Sequence, residues 1–352
     1  MTPASTSVLI TGGAGFIGSA LVRQWLACES DAVINLDRLT YAGLRASLDG
    51  VLDHPRHELV VGDIADAHLV DELLAERRPR AIVHLAAETH VDRSIDEPPE
   101  FARTNVLGTC TLLDCATRYW QGLSAGARVS FRFLLASTDE VFGAAAPGEA
   151  FTAESPLAPN SPYAASKAAA EHLAHAFAHT YGLPVVTINP TNNFGPRQLP
   201  EKLIPKMVLA AARRQPLPVY GDGLQERDWL HVDDCCRAIR TVLRRGEPGR
   251  RYLAGSGRCV ANLRLVEQIC DILDEHLADG GGRRKLIRHV ADRPGHDRRY
   301  AVAGGELQTA LGWSPAAPFL QALRETVVWY LENPSWVAEA EASLNRCQRK
   351  LP

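Results

Sequence analysis

Residues 8–18 read VLITGGAGFIG, and the fold is decided there. Val8, Leu9 and Ile10 make the short apolar run a buried strand needs, and Thr11-Gly12-Gly13 stops it. Beyond the stop, Phe16, Ile17, Leu21, Val22, Trp25 and Leu26 recur at helical spacing, predicting a helix over 16–27. Glycines stand at 12, 15 and 18, between strand and helix. Gly12 permits the tight turn, Gly15 lets the backbone approach a pyrophosphate, and Gly18 lets helix and strand lie close. The helix start, with Phe16 and Ile17, then turns its N–H groups toward the anion. Asp37 follows 19 residues after Gly18, at the end of the next apolar run. A carboxylate there accepts hydrogen bonds from a ribose diol and repels a 2′-phosphate, so NAD is expected over NADP. Arg38 alone leans the other way, since an arginine welcomes the extra phosphate.

Working outward, apolar runs at 32–36, 58–61, 81–85, 133–136 and 185–188 read as further strands with helical stretches between them. That alternation predicts an α/β fold, a doubly wound parallel sheet of Rossmann type with right-handed crossovers. Ligands collect at the carboxyl ends of such strands, so Asp63 and Ile64 are expected to meet the adenine. Leu85, Ala86 and Ala87 are expected to line the cofactor trough. After about residue 195 the rhythm weakens amid Pro196, Pro200, Pro205, Pro216 and Pro218. The expected division is 1–195 for the NAD-binding domain with the catalytic residues, and 196–352 mainly for a smaller C-terminal substrate-binding lobe, some segments of which return to the first. Residues 278–284 (ADGGGRR) read as a flexible surface loop, and 319–331 as a closing amphipathic helix.

Composition excludes several function classes. The 352 residues carry 38 Lys+Arg against 41 Asp+Glu, a net charge of −3 that offers nucleic acid no basic field. Nothing approaches 18 consecutive apolar residues, so no membrane span is expected, and MTPASTSVLIT lacks the charged and apolar regions of a leader. The eight cysteines form no C-x-x-C pair and no zinc spacing, so no metal is expected, and a reduced cytoplasmic protein is the simpler reading.

Two segments carry chemistry. Ser137-Thr138-Asp139-Glu140 follows a predicted strand, which brings its side chains out at the ligand end of the sheet. Tyr163 and Lys167 stand four apart, on one face of a helix. An ammonium beside a phenol favours the phenolate, which lowers the Tyr163 pKa and makes it a base for a hydroxyl proton.

With these motifs in view, the sequence resembles the extended short-chain dehydrogenase/reductase family, and within it the dTDP-glucose 4,6-dehydratases, over nearly its whole length. The carriers are TGGAGFIGSALV, LDRLTYAG, HLAAETHVDRSI, TNVLGT, STDEVFG, SPYAASKAAAEHL, TNNFGPRQLPEKLIP, VYGDGLQERDWLHVDD and DRPGHDRRYAV. Asp139-Glu140 is the pair that separates this branch from related epimerases and decarboxylases. The resemblance implies a nucleotide-sugar substrate, NAD, and a 4-keto sugar that forms and is consumed. Tyr163 would then take the 4-hydroxyl proton with Lys167 beside it, Thr138 would bond that hydroxyl, Glu140 would remove the C5 proton and Asp139 would protonate the departing 6-hydroxyl. It places Arg227 and Arg293 on the diphosphate with Asn262 near them, and Asn193, Glu201 and Lys202 on the sugar and its linkage. Pro218 and Tyr220 would wall the base pocket, His296 and Tyr300 would belong to the closing segment, and His90 and Ser94 would lie near sugar or nicotinamide. It also implies a homodimer, paired through helices near 104–119 and 163–179.

The chain departs from the family pattern at Leu44, Phe142, Asn189-Pro190-Thr191, Arg197, Leu199 and the run GSGRCVA at 255–261. These changes are expected around the substrate, which leaves the base and the hexose open. Two other readings compete with the dehydratase: a UDP-sugar C4-epimerase or decarboxylase, and a non-catalytic NAD-sensing module.

Overall fold

The computed structural model describes residues 6–348; the first five residues, which enter the reading of the N-terminus as leaderless, lie outside it. The first part of the chain gives β1 (Ser7–Thr11), β2 (Ala32–Asp37), β3 (His57–Val61), β4 (Ala81–His84), β5 (Arg132–Ala136) and β6 (Val185–Pro190). The later chain adds β7 (Asn192–Phe194), β8 (Leu217–Tyr220), β9 (Glu226–His231), β10 (Arg251–Ala254), β11 (Cys259–Ala261) and β12 (Ile287–Val290). Seven strands make one sheet in the order β10-β6-β5-β4-β1-β2-β3, every neighbouring pair parallel. The order runs outward from β1 in one direction to β3 and resumes on its other side at β4. The crevice at that reversal is where a doubly wound sheet binds ligands. Here it is flanked by the glycine turn after β1 and by Leu85–Ala87 after β4.

Helices cover both faces because the strands are apolar on both. Leu9 and Ile34 face a core with Leu73, Leu112 and Phe133, while Val8 and Ile10 face a core with Leu21, Trp25 and Ile239. Burying each such side chain contributes roughly 1.5–3 kcal/mol. A third core lies in the later chain, where β11-β9-β7 and β12-β8 form two small sheets. Tyr41 and Leu44 from the first part of the chain enter that core. The helix Phe319–Glu332 packs there and is followed by a further helix, Pro334–Gln348. Among the described residues no helix is long and apolar enough to cross a membrane.

Two local expectations are corrected. The predicted helix over 104–119 begins with a π-helical stretch, Ala102–Gly108, before the regular helix Thr109–Gln121. The wider turn points Asn105 inward, where its carboxamide takes Glu88 N–H (2.8 Å) and donates to Glu88 O (3.0 Å) and Ser166 Oγ (2.8 Å). Residues 278–284 do run over the surface as expected, exposed at most positions, but they are anchored. Arg283 is fully buried and is held by Asp274 (2.7 Å), Asp279 (2.6 Å) and Ala211 O (3.1 Å). Three successive glycines at positive φ allow the chain to fold back over it.

Candidate active site

The groove at the sheet reversal encloses about 300 Å³ and is lined by Gly12, Gly15, Phe16, Ile17, Gly18, Asp37, Asp63, Ile64, Leu85, Ala86 and Ala87. Gly12 sits at φ +73°, and a Cβ there would lie 2.7 Å from Ala86 N. At Gly18 a Cβ would strike Gly12 O at 2.0 Å. Only glycine lets turn and helix close to this distance. Asp37 is buried, and its carboxylate accepts from Ala14 N (2.9 Å) and Leu39 N (2.8 Å). Arg38 is engaged by Asp63 (3.0 Å) and Glu100 (3.4 Å), so its charge is not held free for a 2′-phosphate. Thr104, which the sequence reading passed over, also lines the groove with its hydroxyl buried and unpartnered. The glycine cradle, the ribose-facing acid and this orphaned hydroxyl fit a dinucleotide.

The catalytic candidates form the deep wall of the same groove. Thr138 caps the 3₁₀ turn Asp139–Phe142 and accepts from Glu140 N (3.3 Å) while donating to Asp139 Oδ1 (3.3 Å). The turn is anchored from below by Asn189, whose Nδ2 donates to Thr138 O (2.9 Å) and Glu171 Oε1 (2.6 Å). Asp139 Oδ2 and Glu140 Oε2 are buried without partners, poised for something the groove will hold. Burial, then Glu140 and Asp228 nearby, push the Asp139 carboxyl well above its usual range. Burial also raises Glu140, but Arg293, Arg227 and Lys202 oppose the rise. The two neighbours therefore differ in charge environment, as an acid and a base should.

Tyr163 and Lys167 come from the helix Pro162–Tyr181, which Ser161 caps through Ala164 N (3.1 Å). Lys167 Nζ donates to Ala136 O at the end of β5 (2.8 Å), and burial brings its pKa down to about 8. The expected lowering of the Tyr163 pKa is not what this geometry produces. Burial and the Glu140 charge raise it, against a lesser opposing effect from the Thr138 hydroxyl. The resting side chain is a neutral phenol among acids.

A second cavity of about 210 Å³ continues from the first, the two sharing Thr89, Glu140, Asn192, Asn193, Gln198, Glu201 and Lys202. Its walls carry His90, Pro218, Tyr220, Arg227, Asn262, Arg293, His296 and Tyr300. Arg227 is buried, donates to Asp297 O (2.9 Å) and lies 4.1 Å over the Tyr300 ring. Lys202 donates to Thr89 O (2.8 Å), and Arg293 meets Asp92 (3.1 Å). The side-chain oxygens of Asn193 and Asn262 are buried and unpartnered. Three cations with open amide acceptors suit an anion followed by a hydroxyl-rich group. His90 caps a short helix through Arg93 N (3.2 Å) and lies 3.6 Å from Glu201. Burial and Lys202 lower its pKa to about 4, so it is neutral.

Ser94 is the exception among the expected residues. It lines neither cavity, is fully buried, and spends its hydroxyl on Val91 O (2.6 Å). The departures also scatter rather than cluster around the substrate. Phe142 stacks on Phe151 at 5.2 Å, Leu44 lies in the third core, and Arg197 lies 5.3 Å over Trp329. Of these positions, Pro190, Thr191 and Leu199 do reach the groove. Ser256 and Gly257, in the 255–261 run, instead donate backbone N–H groups to Asp228 (3.0 Å each). Sequence reasoning missed Thr89, Asp92, Asn192 and Asp228. Each lies inside a motif already singled out, but nothing in the local pattern marks its direction.

A larger groove of about 890 Å³ runs beside β10 and the far face of the helix Pro162–Tyr181. Its buried acid, Glu171, is already paired with the half-buried Arg251 at 2.9 Å, and none of the catalytic candidates lines it.

Residues 9–326 match the family model described as GDP-mannose 4,6 dehydratase. The chain is 51% identical to a dTDP-glucose 4,6-dehydratase of Xanthomonas campestris, over 94% of both chains. It is 47% identical to dTDP-glucose 4,6-dehydratase 1 of Escherichia coli, again over 94% of both. Among solved structures, DesIV, a dTDP-glucose 4,6-dehydratase of Streptomyces venezuelae with NAD bound, superposes with a TM-score of 0.87 at 45% identity, covering 95% of this chain and all of that one. The UDP-glucose 4-epimerase of Thermotoga maritima reaches 0.82 at only 25% identity, covering 94% of this chain and all of that one, so the fold is shared well beyond the dehydratases. On sequence and structure together, this chain belongs to the nucleotide-sugar 4,6-dehydratase family of extended short-chain dehydrogenase/reductases, among its dTDP-glucose 4,6-dehydratases.

Proposed function

We propose that the protein is an NAD-dependent hydro-lyase that converts an NDP-hexose, with dTDP-glucose the first candidate, into the 4-keto-6-deoxy sugar. The observation that carries this reading is the Thr138-Asp139-Glu140 turn. Its two unequal carboxyls line the dinucleotide groove together with Tyr163, and Glu140 also lines the adjoining cation-bearing cavity. NAD, when bound, supplies a hydride acceptor at C4, later a hydride donor at C6, and a positive ring whose field offsets the two acids at the phenol.

The chain's own residues do the proton work. Tyr163 must first give up its own phenolic proton, which the positive charges of Lys167 and of bound NAD would favour; as the phenolate it accepts the 4-hydroxyl proton as C4 is oxidised, with Thr138 orienting that hydroxyl. The new ketone acidifies the C5 hydrogen, which Glu140 removes as a proton. Asp139, kept protonated by burial and its acidic neighbours, gives its proton to the departing 6-hydroxyl, and water leaves. Arg227, Arg293 and Lys202 hold the diphosphate, while Asn193 and Glu201 face the hexose. The epimerase reading leaves the Asp139-Glu140 pair without a task.

The test is product analysis of Asp139→Asn and Glu140→Gln with dTDP-glucose in D₂O. Glu140→Gln should lose deuterium incorporation at C5 and stop before water loss; Asp139→Asn should lose dehydration while hydride removal from C4 persists. Dehydration at the wild-type rate in both variants would end the assignment. We also propose a homodimer through the helices Thr109–Gln121 and Pro162–Tyr181, near which Leu107 and Tyr181 remain at least half exposed. A monomer mass in solution would contradict it.

A further inference from the structure

Asp92 presents a puzzle in charge terms. It is a carboxylate on the wall of the cavity that, on the reading above, must receive a diphosphate. Placed alone there, it would repel the substrate. It is not alone. Asp92 lies in the short helix Val91–Asp96, in the first part of the chain, and its Oδ1 accepts from Arg293 Nη1 at 3.1 Å across 201 residues of sequence. Its other oxygen accepts from the Tyr220 hydroxyl at 3.3 Å. Three elements that share no sequence neighbourhood thus meet at one carboxylate: the helix after β4, the end of β8, and the closing segment that follows β12.

The Arg293 guanidinium has five N–H groups in a planar fork. Asp92 engages only Nη1. Nε is buried and has no partner at all, although Arg293 lines the cavity. An arginine reaches a phosphate best by two parallel N–H groups on one edge. The edge made of Nε and Nη2 is the one Asp92 leaves open. A buried Nε left without an acceptor is costly unless a ligand supplies one.

From this geometry we infer that Asp92 is a positioning residue for nucleotide-sugar binding: it and Tyr220 fix the Nη1 corner of Arg293 so that the Nε/Nη2 edge is presented to the diphosphate. The inference rests on the proposed function for the ligand's chemistry, and it assigns Asp92 no contact with the reacting carbons. The orienting gain outweighs the repulsion because the Asp92 charge is already neutralised by its partner, whereas an unfixed arginine must first lose its side-chain freedom.

The experiment is a double-mutant cycle on Asp92→Asn and Arg293→Ala in the NAD-loaded full-length enzyme. It measures KM and kcat with dTDP-glucose, and the Kd of dTDP alone by calorimetry. Arg293→Ala should weaken both KM and Kd. Asp92→Asn should weaken them by roughly two- to 150-fold, the range of coupling between groups in direct contact, with kcat little changed. In the Arg293→Ala background, where the carboxylate is left without its cation and repels the phosphates, the same Asp92→Asn change should no longer weaken binding and should recover part of what Arg293→Ala lost. Tighter dTDP binding in Asp92→Asn would show that the carboxylate competes with the phosphates and would overturn the inference. Additive effects in the double variant would overturn it too, because Asp92 would then act without Arg293. If Arg293→Ala itself binds dTDP normally, the diphosphate assignment fails, a distinguishable result.

Discussion

His84, at the end of β4, should make the protein acid-labile by a calculable amount. Its ring is fully enclosed and bridges Thr11 Oγ1 (Nδ1, 2.8 Å) and Thr109 Oγ1 (Nε2, 2.9 Å). The Thr109 hydroxyl gives its proton to Asn105 O at 2.6 Å, so toward the ring it accepts. Nε2 therefore carries the hydrogen and Nδ1 accepts from Thr11, whose oxygen in turn takes the Ala86 N–H at 3.2 Å. Each hydrogen in this chain is used, and a second ring proton would face a donor. Burial, with the Lys167 charge behind it, accordingly lowers the His84 pKa to about 3, against an ordinary value of 6.5. Between those values the unfolded chain takes up a proton that the native chain refuses, so this group's contribution to stability falls as pH falls. From pH 7 to pH 5 the loss is about 2 kcal/mol. The buried carboxyls with raised pKa values act in the opposite sense, so the wild-type profile alone does not isolate the effect. The comparison with His84→Gln does. Urea unfolding followed by tryptophan fluorescence, at fixed protein and NAD concentrations, should show wild type more stable at pH 7, by roughly 1–3 kcal/mol for the broken hydrogen-bond chain. At pH 5 that gap should narrow by about 2 kcal/mol. A gap that is constant between the two pH values would refute both the neutral tautomer and the burial argument.

Other expectations follow from the same geometry. Asp37→Asn should weaken NAD by about 1–2 kcal/mol, because an amide oxygen cannot serve Ala14 N, Leu39 N and a ribose as a carboxylate does. It should gain little for NADP while Arg38 stays paired with Asp63 and Glu100, and a switch to NADP from this one change, read in cofactor titrations, would count against that pairing. Gly18→Ala, with its Cβ 2.0 Å from Gly12 O, should lower NAD affinity by roughly tenfold or more, measured as cofactor retained after gel filtration. Turnover should decline as pH rises past about 8, where Lys167 loses its charge. Glu171 supports that charge, so Glu171→Gln should move the alkaline limb to lower pH; a limb that stays in place would detach Glu171 from Lys167.

Much of this was legible in the sequence because it is local. A strand, a glycine turn and a helix are written in consecutive residues, and 8–18 needs no distant partner to declare a dinucleotide turn. Tyr163 and Lys167 share a face because a helix repeats every 3.6 residues, wherever it packs. Asp139-Glu140 is marked by its place directly after a predicted strand and by the family resemblance, not by any periodicity. What periodicity could not supply is direction and environment. Ser94 sits in a good motif, yet its hydroxyl turns back to Val91 O because its helix closes over it. Leu44 and Phe142 depart from the family pattern, yet only packing shows them serving cores rather than substrate. The Tyr163 phenol is pushed up rather than down because burial and Glu140 act through space, while Lys167 spends a proton on Ala136 O. Thus the chain order of residues determines the Rossmann frame, the cofactor turn and the set of reactive groups. Which carboxyl keeps its proton, and how Arg293 is aimed by Asp92, is decided only when folding brings together groups as far as 201 positions apart and removes the water between them. Charge interactions and desolvation depend on distance in space, and sequence spacing does not encode that distance.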